Sequence, residues 1–111
     1  MPDIRLLPLA AGIMLASITS SSLADTGTAS TEADAAQRGA QVFASHGCGY
    51  CHENGGRSPG KGPQLMATSR DDSFIVFRII NGKTGRMPAF GSVITGDQIL
   101  DVIAYIRSLK E

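Results

Sequence analysis

The amino-acid sequence predicts an all-α domain. Apolar residues recur at helical spacing in three segments, helix-capping pairs stand near the start of each, and no segment alternates polar with apolar residues as a half-buried strand would. In the first segment Thr31 is followed three positions later by Asp34, as in a capping box, and Ala35, Gly39, Val42 and Phe43 then line one face up to about Ser45. Between His52 and Thr68 stand Gly55, Gly56, Pro59, Gly60, Gly62 and Pro63, a density of chain-breaking residues that forces a loop. Asp71, Asp72 and Ser73 offer capping groups for a second helix, in which Phe74, Ile75, Val76, Phe77, Ile79 and Ile80 are apolar enough on all sides to predict deep burial. Asn81-Gly82 ends it. A second loop, Gly82 to Gly91, holds Met87 and Pro88. Thr95 and Gln98 then pair as a cap for a third helix carrying Ile99, Val102, Ile103, Ile106 and Leu109.

The 111 residues leave room for one compact domain. At the N-terminus, Arg5 precedes a mostly apolar stretch from Leu6 to Ile18, and Ser22-Leu23-Ala24 presents the small residues that a signal peptidase requires. Residues 1–24 are therefore expected to be a signal peptide, residues 25–31 a flexible leader, and residues 32–111 the folded domain. The apolar stretch is well short of the ~20 residues that span a bilayer, so export to the periplasm is expected rather than stable membrane insertion. A domain this small has a marginal hydrophobic core and is commonly supplemented by a disulfide, a metal or a large cofactor. The two cysteines, Cys48 and Cys51, would close only a tiny loop if bridged, so they are not a structural staple.

Cys48-Gly49-Tyr50-Cys51-His52 is instead the c-type haem attachment sequence, in which two thiols three positions apart add to the porphyrin vinyl groups while the adjacent imidazole reaches the iron. A thioredoxin-like redox pair needs a strand-helix context that is absent, and half of a zinc site lacks its other ligands. Gly55 to Lys61 approaches a phosphate-binding loop, but position 62 is Gly where Ser or Thr is needed for magnesium, and no strand precedes it.

Beyond Thr31 the chain resembles the class I cytochromes c over nearly its whole length. Gly39 and Phe43 resemble the small and aromatic pair on the first helix that crosses the C-terminal helix, where Val102 and Tyr105 match. Gly62-Pro63-Gln64-Leu65 resembles the segment whose proline carbonyl accepts the proximal imidazole's proton, and Gly85-Arg86-Met87-Pro88-Ala89-Phe90 resembles the distal ligand loop. The resemblance implies helices and two long loops wrapped around one covalent haem c. Cys48 and Cys51 would bind the porphyrin, His52 and Met87 would be the iron ligands, and Pro63 would support the first. The residue types agree with these roles. A backbone acceptor fixes the second nitrogen of a ligating imidazole, and a methionine before proline is steered into extended backbone from which its thioether projects. Met66 follows His52 too closely to reach the opposite side of a porphyrin, and His46, two positions before Cys48, reads as a surface histidine.

Two strong protein ligands leave iron no open position, so the expected function is one-electron transfer between exported protein redox partners rather than enzymatic catalysis. Phe43, Leu65, Phe74, Phe77, Ile80, Phe90 and Ile99 are the candidates for packing around the haem. Ten basic and ten acidic residues give no net charge, which excludes the strongly basic field of a nucleic-acid binder, and a monomer is expected. The loops nevertheless carry Arg57, Lys61, Lys83 and Arg86 against Glu53 alone, whereas Glu32, Asp34, Asp71, Asp72 and Asp97 gather at helix starts. These cations would form a mildly positive docking face, pair with haem propionates, or simply solvate the loops. Two readings of another class remain. A gas-binding sensor would need Met87 off the iron. A small peroxidase would need a distal acid or base, where the Met87 loop offers only Arg86.

Overall fold

The computed structural model describes residues 28–111 together with residues 8, 11–14 and 16. The expected cleavage point after Ala24 and the leader up to Gly27 lie outside these residues. Three α-helices, α1 (Thr28–Ser45), α2 (Asp72–Asn81) and α3 (Gly96–Ser108), are joined by loops that include two short 3-10 turns, Cys48–Tyr50 and Asn54–Gly56. Among the described residues there is no strand, only an isolated bridge between Lys83 and Met87. No helix among them is long and apolar enough to cross a membrane.

Helix α1 begins at Thr28, so Thr31 and Asp34 lie within it rather than capping it. The segment contains no breaker, and Ala29, Glu32, Ala33, Ala35 and Ala36 are good helix formers that carry the helix past the expected cap. Helix α2 starts where expected: Asp71 accepts a hydrogen bond from the Phe74 N–H at 2.8 Å. It ends at Gly82, whose positive φ of 65° favours glycine. Helix α3 has a complete capping box, with the Thr95 hydroxyl accepting from Gln98 N–H at 3.2 Å and the Gln98 amide oxygen accepting from Thr95 N–H at 2.9 Å.

The core joins Val42 of α1, Ile75 and Ile79 of α2, Ile94, and Ile99, Val102, Ile103 and Ile106 of α3. Ile99 sits deepest, at 2% exposure. Deep burial of α2 on all sides does not occur. Ile75 and Ile79 are buried, but Phe77 is 57% and Ile80 40% exposed. A single helix buries one stripe. Phe77 lies about 200° around the helix from Ile75, at ~100° per residue, and so faces away from the core.

The most extensive helix contact is the crossing of α1 over α3. Gly39 makes it possible: a Cβ there would run into the Asp101 carbonyl oxygen and lie 2.9 Å from Tyr105 Cβ. Next to the crossing, Arg38 Nε and Nη2 donate to the two carboxylate oxygens of Asp101 at 3.0 and 3.1 Å, and the Phe43 and Tyr105 rings meet at 5.2 Å. Arg107 ties α3 to the start of α2 and the loop before it. Its guanidinium donates to Asp72 Oδ1 at 2.8 Å, to the Arg70 carbonyl at 2.6 Å and to the Thr68 carbonyl at 3.1 Å.

At an unobstructed helix position Gly→Ala stabilises by about 1 kcal/mol. At the crossing the added methyl has no space, so Gly39→Ala should instead destabilise by about 1–3 kcal/mol. Denaturant unfolding of the purified protein checks this, and a raised midpoint would contradict the packing described.

Candidate functional site

The end of α1 leads directly into the site. His46 N–H closes onto the Val42 carbonyl at 3.1 Å, Gly47 turns the chain in left-handed conformation (φ 72°), and the Cys48–Tyr50 turn follows. Cys51 N–H and His52 N–H both return to the Cys48 carbonyl, at 3.3 and 2.9 Å. Such a turn brings side chains three and four positions apart to one side, so the two thiols and the imidazole issue from a single coil of backbone. Both cysteines are free and half-buried. Burial pushes the Cys48 thiol above its ordinary range, a backbone hydrogen bond opposes this, and the neighbouring Cys51 adds to it.

His52 is the one buried polar side chain among the described residues, at 9% exposure. Its Nδ1 lies 2.8 Å from the Pro63 carbonyl oxygen. A carbonyl only accepts, so Nδ1 carries the proton and the Nε2 lone pair is left available. The loop that supplies this carbonyl is tied back to the cysteine turn, with Gly62 N–H donating to the Cys51 carbonyl at 2.9 Å and Gly60 N–H to the Gly62 carbonyl at 2.9 Å. Gly62 is a steric requirement: a Cβ there would lie 2.7 Å from His52 Cε1 and 2.9 Å from Nδ1.

Met87 stands in a separate loop. Met87 N–H and Lys83 N–H each donate to the other residue's carbonyl at 2.8 Å, closing a tight hairpin through Gly85 (φ 72°). Met87 is thus extended, as its place before Pro88 predicts, and its half-buried side chain packs against the core. No hydrogen bond among the described residues joins this loop to the cysteine turn. Contact between the two sides comes from His46, whose ring meets Phe90 edge-on at 6.4 Å while its Nδ1 bonds the Val42 carbonyl at 3.0 Å. His46 is therefore a half-buried bridge rather than a free surface histidine. Met66 stays on the His52 side, its N–H held by the Gly56 carbonyl at 2.9 Å.

Cys48, Cys51, His52 and Pro63 are brought together, and Met87 is presented on a second loop. Of the packing candidates, Phe43 and Ile99 are buried, Leu65, Phe74 and Phe90 half-buried, and Phe77 and Ile80 largely exposed. Sequence reasoning missed the Tyr105 hydroxyl, which donates to the Gly55 carbonyl at 2.7 Å. Its only sequence signal is that a tyrosine, not a phenylalanine, stands on a largely buried helix face.

The donor set fits a tethered porphyrin better than a metal ion bound by side chains alone. Among the described residues no three His, Cys, Asp or Glu side chains converge, whereas one imidazole with a fixed tautomer lies beside two free thiols. This fold and this turn define a c-type cytochrome domain, which carries covalently bound haem c with its iron. The chain belongs to the family described as cytochrome c oxidase, cbb3-type, subunit III, whose model matches residues 34–106. It is 32% identical over 117 aligned residues to the cbb3-type cytochrome c oxidase subunit FixP of Azorhizobium caulinodans, an alignment covering 91% of this chain and 38% of FixP. It is 36% identical over 76 residues to cytochrome c6 of Euglena gracilis, covering 61% of this chain and 85% of that protein. The chain thus spans well under half the length of FixP and most of the length of cytochrome c6. No solved structure matches it.

The crowding at Gly62 gives a direct test. Gly62→Ala should displace the imidazole and lower the unfolding free energy of the haem-loaded protein by about 1–3 kcal/mol. Gly49→Ala, whose methyl would meet only Phe43 at an ordinary 3.8 Å, should change it little. Equal effects in denaturant unfolding would contradict the role given to Gly62.

Proposed function

We propose that this chain is an exported one-electron carrier in which Cys48 and Cys51 would hold the haem through thioethers and His52 and Met87 would ligate its iron. The carrying observation is the buried His52 with Nδ1 engaged by the Pro63 carbonyl at 2.8 Å, beside two free thiols. Bound haem c supplies the Fe(III)/Fe(II) couple. The chain's own residues do the rest. Pro63 and Gly62 fix the imidazole plane, and the Lys83–Met87 hairpin presents a soft thioether, which favours the ferrous state and raises the potential. The core of α1, α2 and α3 would help to keep water from the iron. With His52 and Met87 both engaged, the iron would keep no position for a substrate, and the domain would transfer electrons without catalysing a reaction of its own.

The N-terminal segment, with Arg5, the apolar stretch to Ile18 and Ser22-Leu23-Ala24, favours cleavage after Ala24 and a periplasmic domain. Arg57, Lys61, Lys83 and Arg86 are all exposed, and none is in an ion pair among the described residues. They favour a mildly positive docking face that selects redox partners with acidic surfaces. The alignment with FixP favours a second setting, in which the domain passes electrons inside an oxidase assembly. Purification from native cells separates the two: a carrier elutes alone, whereas a subunit co-elutes with membrane-bound oxidase chains.

Absorption spectra of the oxidised and reduced protein test the ligand set. The oxidised protein should show the weak sulfur-to-iron charge-transfer band, and Met87→His should abolish it and lower the potential. An unchanged spectrum in Met87→His would overturn Met87 as the ligand. Electron transfer to an acidic partner should slow as salt rises from 10 mM toward 0.15 M, over which the Debye length falls from about 30 to about 8 Å. Rates indifferent to salt would remove the docking face.

A further inference from the structure

Among the described residues, the Tyr105 hydroxyl makes the one side-chain hydrogen bond from α3 to the turn following His52, and it does so across 50 positions of sequence. Its acceptor, the Gly55 carbonyl, belongs to the Asn54–Gly56 turn, where Gly55 and Gly56 both have positive φ, 64° and 92°. That turn controls both ends of the proximal loop. Gly56 N–H returns to the His52 carbonyl at 3.2 Å, and the Gly56 carbonyl accepts Leu65 N–H and Met66 N–H, each at 2.9 Å. Pro63, whose carbonyl holds His52 Nδ1 at 2.8 Å, lies between these anchored points. Remaining ties within the loop, such as Gly62 N–H to the Cys51 carbonyl, are local to it. Tyr105 instead connects the turn to the helix pair, because its ring is fixed against Phe43 at 5.2 Å in the α1–α3 crossing.

We propose that Tyr105 is a positioning residue for the His52 imidazole, acting through the Gly55 carbonyl and the turn that fixes the Pro63 carbonyl. This rests on His52 being the haem ligand. A firmly held acceptor strengthens electron donation by the imidazole and so favours the oxidised iron. Loosening it should therefore favour the reduced state. The hydroxyl, rather than the ring, carries this role.

Tyr105→Phe keeps the ring on Phe43 and removes only the hydroxyl. In the haem-loaded protein its reduction potential should rise, shifting the equilibrium with a fixed redox mediator several-fold toward the reduced form. Hydrogen exchange at the Leu65 and Met66 amides should quicken several-fold, while the amides of α3 keep their protection. Arg38→Gln, which breaks the ion pair at the same helix crossing without touching the turn, should leave the potential where it was. An unchanged potential in Tyr105→Phe, or an equal change in Arg38→Gln, would overturn the proposal. Should the unsubstituted protein, matured in a host able to attach haem, carry none covalently, the proposed function itself would fall, and this inference with it.

Discussion

The hydrogen bond between His52 Nδ1 and the Pro63 carbonyl is the constraint around which the rest of the molecule is arranged. It sets the tautomer, and the tautomer decides which nitrogen remains free to bind a metal. For this bond to form, the chain after His52 must turn back within eleven residues, and it does so through glycines at 55, 56, 60 and 62 that bring backbone against backbone. The absence of a side chain at Gly62 lets the loop lie on the imidazole ring. An imidazole buried without that acceptor would leave a polar N–H unpaired, a cost of about 1–3 kcal/mol that a domain this small can ill sustain.

Around this centre the protein is organised as a helix pair with two loops. The crossing of α1 and α3 is closed by Gly39 and fixes the direction in which the end of α1 delivers the cysteine turn. Helix α2 contributes Ile75 and Ile79 to the core and, through Gly82, launches the Met87 hairpin. Exposed ion pairs such as Arg38–Asp101 are screened by solvent and contribute little individually. Arg107 differs because its single guanidinium satisfies two carbonyls as well as Asp72, holding the start of α2 against the end of α3. A core of this size, among the described residues, explains why a covalently held cofactor suits this chain: it would add apolar contact to a marginal core.

What could be read from residue pattern alone was local, whereas the α1–α3 crossing at Gly39 and the Pro63 carbonyl were legible only through the family resemblance. Cys48, Cys51 and His52 fall within five consecutive residues, the Thr95–Gln98 and Asp71 caps have short-range signatures, and Pro88 announces the extended backbone of Met87. Features set by packing were hidden. The upstream start of α1 at Thr28 reflects two local signals in conflict, the helix propensity of the alanine-rich stretch outweighing a cap pattern that looks correct in isolation. Phe77 and Ile80 read as core because an apolar helix does not disclose how many of its sides will find neighbours. His46 looked like a surface residue, yet it bridges to Phe90 from the other loop. The Tyr105–Gly55 bond joins positions 50 apart and could not be read from spacing at all.

The tautomer of His52 in the haem-loaded protein tests the central claim most directly. Nitrogen–proton correlation spectroscopy on histidine-labelled protein should find the proton on Nδ1, protected from solvent exchange, with Nε2 bare and bound to iron. A proton on Nε2, or a His52 ring whose Nδ1 proton exchanges as freely as that of a solvated imidazole, would contradict the account.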